Sequence, residues 1–119
     1  MTFWAVNWLR AFALTLIMEV LVAVPLLAPA EPRLARRAAV VAVANLSTHP
    51  LVWFLFPGLT LGSCARLAIS EVWAITAELA IYLLVWPVLR FRRAASVSLA
   101  ANGASFLLGL VGARLLGTP

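Results

Sequence analysis

The chain has 119 residues, 65% of them hydrophobic and 11% charged, with a mean hydropathy of +1.06. A soluble domain is nearer half apolar and a quarter charged, so the composition excludes a water-soluble globule and turns the surplus apolar side chains toward lipid. The net charge of +5 comes from nine basic residues, all Arg, which stand in short clusters between apolar runs, and this excludes the continuous basic face of a nucleic-acid-binding protein.

Four apolar runs follow one another along the chain, at residues 11–28, 38–56, 67–89 and 97–116. Each is close to the ~20 residues that a helix needs to cross a hydrocarbon core ~30 Å thick. No run alternates with period two over the ~10 residues of a lipid-facing strand. The expected fold is therefore all-α, a four-helix integral membrane bundle in one domain, with short connectors that set neighbouring helices antiparallel. The first run ends at Ala28-Pro29-Ala30, which resembles a small-residue cleavage site, but Glu19 interrupts the run and no basic residue precedes Arg10. A retained span is expected there.

Arg33, Arg36 and Arg37 separate the first two runs, and Arg90, Arg92 and Arg93 separate the last two; the other side carries only Arg10, Arg66 and Arg114. The positive-inside rule then makes the Arg-rich loops cytoplasmic and both termini external, and the chain is expected in a bacterial inner membrane. Trp4, Trp8, Trp53 and Trp73 fall in the outer half, where an aromatic belt accounts for them. The single cysteine, Cys64, lies in the 57–66 loop with Gly58 and Gly62 and has no partner for an internal disulfide.

The two halves repeat. Arg36-Arg37-Ala38-Ala39 leads to Ala44-Asn45 with Thr48 three residues on, and Arg92-Arg93-Ala94-Ala95 leads to Ala101-Asn102 with Ser105 three residues on. Ahead of each Arg pair runs a span with one Glu and a Pro near its end, Glu19 with Pro25 and Glu78 with Pro87. A duplicated helical hairpin, both copies in one orientation, is the expected architecture.

Counting rise along each run places Glu19, Asn45, Thr48, His49, Glu78 and Ser105 near the bilayer centre, Tyr82 and Asn102 slightly to the Arg-loop side, and Glu71 one and a half to two turns the other way. Asn45, His49 and Trp53 share a helical face, as do Glu71, Ile75, Glu78 and Tyr82. An ionised side chain at this depth costs ~2.5 to 3.5 kcal/mol on the insertion scale, so the carboxylates need protons, a shared cation, or pairing with His49, Arg10, Arg66 or Arg114. Glu19, His49 and Glu78, with Glu71 above them, form the candidate proton- or cation-binding set. Asn45, Thr48, Tyr82, Asn102 and Ser105 form its supporting polar layer. Pro50 removes the N–H that would bond the Leu46 carbonyl, which adds a possible ligand oxygen.

Imidazole with carboxylates and a carbonyl suits Zn²⁺, Mn²⁺ or Fe²⁺, which makes Glu19, His49 and Glu78 candidates for such a divalent ion, although no H-E-x-x-H or Glu-x-x-His spacing accompanies them and no metal is assigned. The fourth run carries Ala101, Ser105, Gly109, Ala113 and Gly117 every four residues, a stripe that lets a helix from this chain, a second copy or a larger complex approach closely. Three functional classes follow: proton- or cation-coupled transport, an accessory subunit of a larger membrane complex, or an intramembrane Glu/His enzyme. The buried Glu, His and Asn are similar in type to those of the CAAX-protease and bacteriocin-processing membrane peptidases. That likeness implies a Glu-activated water with His49 and Asn45 on the oxyanion, but Asn45 precedes a single His49 and the adjacent glutamate pair of that family is absent.

Overall fold

The computed structural model describes residues 1–115, which form four long helices and, among those residues, no strands. They are α1 (Phe3–Leu26), α2 (Leu34–Pro50), α3 (Ser63–Val85) and α4 (Phe91–Leu115). With its extension to Gly58, α2 is 25 residues long, and the other helices have 24, 23 and 25, so each spans about 35 Å and can cross a membrane. Only 17 to 28% of each apolar window is buried inside the bundle, which leaves most of the apolar surface, including Ile17, Leu21, Leu84 and Leu107, facing outward. The chain is an integral membrane four-helix bundle. Each of α1 and α3 packs on both α2 and α4, with the most extensive contact between α1 and α4.

Helix boundaries follow local chemistry. Helix α1 begins at Phe3, eight residues earlier than hydropathy places it, because Thr2 caps it by accepting the Ala5 N–H at 3.3 Å. Helix α3 stops at Val85 rather than 89, since Pro87 pushes Trp86 out of helical geometry to φ −123°, ψ 81°. At the start of α2, Glu31 Oε1 accepts the Arg33 N–H at 3.0 Å, and its two oxygens pair with Arg33 and Arg36 at 3.1 and 2.8 Å. A carboxylate with these donors at a helix N-terminus is held well below the usual range, at about 2, first by the Arg33 backbone bond and then by the Arg33 side chain.

Pro50 does not simply kink α2. The next turn, Leu51–Leu55, widens to a π-helix in which the Phe56 N–H bonds the Leu51 carbonyl, and Phe56–Gly58 then tightens into a 3₁₀ turn. A proline that cannot donate to the preceding turn, and whose ring crowds it, accounts for this break in the ladder.

The packed apolar core lies almost wholly between the polar layer and the Arg loops. Ala23, Leu27, Val41, Ala44, Tyr82, Ala94 and Ala101 are fully buried there, with Val24, Trp86, Leu89 and Val97 nearly so. Two arginines tie this end shut: Arg37 donates to the Val24 carbonyl at 2.6 Å and Arg93 to the Leu26 carbonyl at 2.9 Å, capping the C-terminus of α1.

Candidate functional site

Glu19 and Glu78 are buried at 1% and 0% exposure and project from α1 and α3 into the centre of the bundle, within hydrogen-bonding reach of one another. Each carboxyl is held by the helix that follows it. Asn45 Nδ2 donates to Glu19 Oε2 at 2.7 Å, and Asn102 Nδ2 donates to Glu78 Oε2 at 2.7 Å. The other oxygens are served crosswise. Thr48 Oγ1 on α2 lies 3.5 Å from Glu78 Oε1, and Ser105 Oγ on α4 lies 3.4 Å from Glu19 Oε1.

The orientation of each amide is fixed by its own helix. Asn45 Nδ2 also donates to the Val41 carbonyl at 3.1 Å, and Asn102 Nδ2 to the Ser98 carbonyl at 3.0 Å, one turn back in both cases. A side-chain amide has two N–H donors, so each Asn has both committed, one to anchor itself and one to position a carboxylate. Ser98 is a member of this layer that the sequence reading missed. It is fully buried and donates to the Ile75 carbonyl at 2.9 Å, joining α4 to α3. Its place one turn before Asn102 was the available signal.

The carboxyl pair forms the floor of a partly open cavity of about 180 Å³ that extends away from the Arg loops. Its walls include Ala11 and Thr15 of α1, Val52 and Trp53 beyond Pro50, Ser70, Glu71 and Ala74 of α3, and Phe106 of α4. Glu71 stands seven residues above Glu78, roughly 10 Å along the helix, and among the described residues it has no ion pair. Asn45, Thr48, Asn102 and Ser105 all reach the same cavity, whereas Tyr82 is sealed beneath the pair with its hydroxyl unpartnered.

Several expected partnerships do not form. His49 borders the cavity, yet it bonds neither carboxyl; its ring sits among aromatics, 5.2 Å from Phe12, 6.2 Å from Trp53 and 6.4 Å from Trp8, and its Nδ1 is buried without a partner. Arg10 and Arg114 are exposed, and Arg66 turns to the Pro57 carbonyl at 3.4 Å, so the only ion pairs among the described residues are those of Glu31. Leu46 is 53% exposed and does not border the cavity, so the site does not gain the oxygen expected from it. Among the described residues no three His, Cys, Asp or Glu side chains are gathered as metal ligands, which leaves Glu19, His49 and Glu78 without the geometry of a divalent site. Of the small-residue stripe, Ala101 is buried and Ser105 half-buried, but Gly109 and Ala113 are exposed, and Gly117 lies outside the described residues. A Cβ at Gly109 would meet nothing within 4 Å, so the stripe enters the bundle at one end only.

The molecule is thus a membrane-spanning helical bundle with a carboxyl pair at the base of a one-sided cavity. No protein-family model matches the chain, and comparison with curated proteins and with solved structures gives no match either.

Proposed function

We propose that the chain is a small membrane transporter in which the Glu19 and Glu78 carboxyls together bind a proton and exchange it for a cation. The observation that carries this reading is the meeting of two carboxyls from different hairpins at the floor of a cavity whose walls contain no Arg. Two carboxyl groups so close in a site shielded from water cannot both hold a negative charge unless a proton or a cation lies between them. Binding one therefore displaces the other, which is the elementary act of coupled transport. The two amide donors hold both carboxylates in place while the occupant changes, with the Thr48 and Ser105 hydroxyls beside them.

The matched bonds of Asn45 with Asn102, and of Thr48 with Ser105, support a duplicated hairpin with two quasi-equivalent halves about an axis along the membrane normal. With Arg33, Arg36, Arg37, Arg90, Arg92 and Arg93 cytoplasmic in a bacterial inner membrane, both termini and the cavity face outward. An intramembrane hydrolase is disfavoured, because Asn45 has no N–H left for an oxyanion. The accessory or oligomeric reading draws on the open face at Gly109, onto which another helix can pack closely.

The test is cation-driven proton movement in proteoliposomes. Glu78→Gln and Glu19→Gln keep the shape of the site and an acceptor for the Asn amide but each removes one of its two titratable carboxyls, and each is expected to lower coupled flux at least tenfold. Flux unchanged in both variants refutes the proposal.

A further inference from the structure

The cavity is larger than a site for a bare inorganic ion requires, and the rings of Trp53 and Phe106 form part of its wall. An apolar cavity of about 150 Å³ is enough to hold benzene, and this one has about 180 Å³ above its carboxyl floor. Hard inorganic cations take six or more oxygen ligands from several directions. Here the densest oxygen is at the bottom, while above it Ala11, Val52, Trp53, Ala74 and Phe106 supply apolar and aromatic wall between the scattered oxygens of Thr15, Ser70 and Glu71. The oxygens of Glu19 and Glu78 are also partly used, each carboxyl accepting from one Asn with one hydroxyl within 3.5 Å, so a bound cation meets two carboxylate edges rather than a closed shell.

The wall is held rigidly. Trp53 stacks on His49 at an interplanar angle of 23° and meets Trp4 edge-on at 6.2 Å, while Phe12 meets His49 edge-on at 5.2 Å. These rings stand where the π-helical turn after Pro50 delivers Trp53 to the cavity. An aromatic face beside an anionic floor attracts a cation that carries apolar groups, since the ring quadrupole binds the charge and the ring surface covers the hydrocarbon. Glu71, about two turns above, adds negative charge along the entrance.

We infer that the occupant exchanged for the proton is a small organic monocation, an ammonium bearing one aromatic or branched apolar group, seated with its nitrogen on Glu19 and Glu78 and its apolar part against Trp53 and Phe106. This rests on the transport reading and specifies its cargo. Charge balances: the pair holding one shared proton takes up one ammonium and releases that proton, so the net charge of the site stays at −1.

The experiment uses the purified full chain in lipid nanodiscs, with calorimetry for binding and a pH dye for proton release. The probes are phenethylammonium, the neutral 2-phenylethanol, and Na⁺. Phenethylammonium is expected to bind and release about one proton, while 2-phenylethanol and Na⁺ do neither. Glu78→Gln abolishes the release. Trp53→Ala weakens phenethylammonium binding about 2- to 30-fold, the range for a lost cation–π contact, and Trp53→Phe restores most of it. Proton release by Na⁺ but not by phenethylammonium overturns this inference and leaves the transport reading standing. Equal binding of 2-phenylethanol overturns it as well, because the pocket is then merely apolar. Release by no cation at all overturns both.

Discussion

If Glu19 and Glu78 share one proton, the remaining negative charge rests on whichever carboxyl has the better donors, and this makes the two distant asparagines thermodynamically coupled. Asn45→Ala removes the 2.7 Å bond to Glu19, and Asn102→Ala removes its counterpart on Glu78. After one deletion the charge moves to the carboxyl that still has its amide, so the loss is near that of a neutral interhelical bond in a membrane, about 0.6 and at most about 1.7 kcal/mol. The second deletion strips the donor from the charged carboxyl, and a bond to a charged group is worth about 1.5 to 3 kcal/mol. The anchoring bonds to the Val41 and Ser98 carbonyls add little to either step. The double variant is therefore expected to be destabilised by about 1 kcal/mol more than the sum of the singles, within the range found for groups in one network. Reversible unfolding in mixed micelles, followed by tryptophan fluorescence on the wild type, both singles and the double, measures this directly. Additivity to within about 0.5 kcal/mol refutes the shared proton, because independent sites behave that way.

Three further outcomes are expected. The Glu31 carboxylate, held at about 2, adds stability that is fully present above the ordinary carboxylate range and is lost as pH falls from about 4.5 toward 2; Glu31→Gln should flatten that part of the thermal-midpoint profile, and an unchanged profile refutes the assignment. Ala101→Leu places bulk where the helices touch and should destabilise by about 1 to 3 kcal/mol, whereas Gly109→Leu, with open space around it, should stay within about 0.5 kcal/mol unless a second copy packs there, in which case size-exclusion chromatography with light scattering will report a change of oligomer. Tyr82→Phe removes a hydroxyl that has no partner, so stability should be unchanged or improved in the same unfolding assay; a loss above about 1 kcal/mol means that the hydroxyl is bonded in the native protein.

The four spans were legible because hydropathy alone decides which segments enter a bilayer, and the hairpin likeness was legible because Asn45–Thr48 and Asn102–Ser105 repeat with the same spacing. What the spacing could not tell was the partner of each group. Asn and hydroxyl three residues apart face slightly different directions on a helix, and only the ring of four helices sends Asn45 to Glu19 while Thr48 reaches Glu78. His49 lines the same cavity but bonds neither carboxyl, for a related reason. Depth placed it beside the carboxyls, but its azimuth turns it among Trp8, Phe12 and Trp53, contacts that arise only when α1 and α2 are docked. The helix ends were shifted by caps and prolines that a hydropathy window averages away.

The difference between the two halves of the bundle is written in side-chain size. Toward the Arg loops, Ala23, Ala44, Ala94 and Ala101 are fully buried, and small residues let helix backbones approach closely. Beyond the polar layer, rings meet between the elements instead, Trp8 with Phe54, Trp4 with Trp53, and Phe56 with Trp73, and Trp53 also lines the cavity. For an occupant to leave by the closed end, the alanine contacts must part, and few polar bonds resist this. The Tyr82 hydroxyl and Trp86 Nε1 have no partners, and Ser98 to the Ile75 carbonyl joins helices at the level of the layer itself. Among the described residues the remaining ties are Arg37 and Arg93 on the last carbonyls of α1, and both stand in the first turns of α2 and α4 within the Arg clusters. On the proposed transport reading, opening of the closed end is controlled by apolar packing and by two guanidinium caps, so the Arg clusters are placed to govern which face the carboxyl pair can reach.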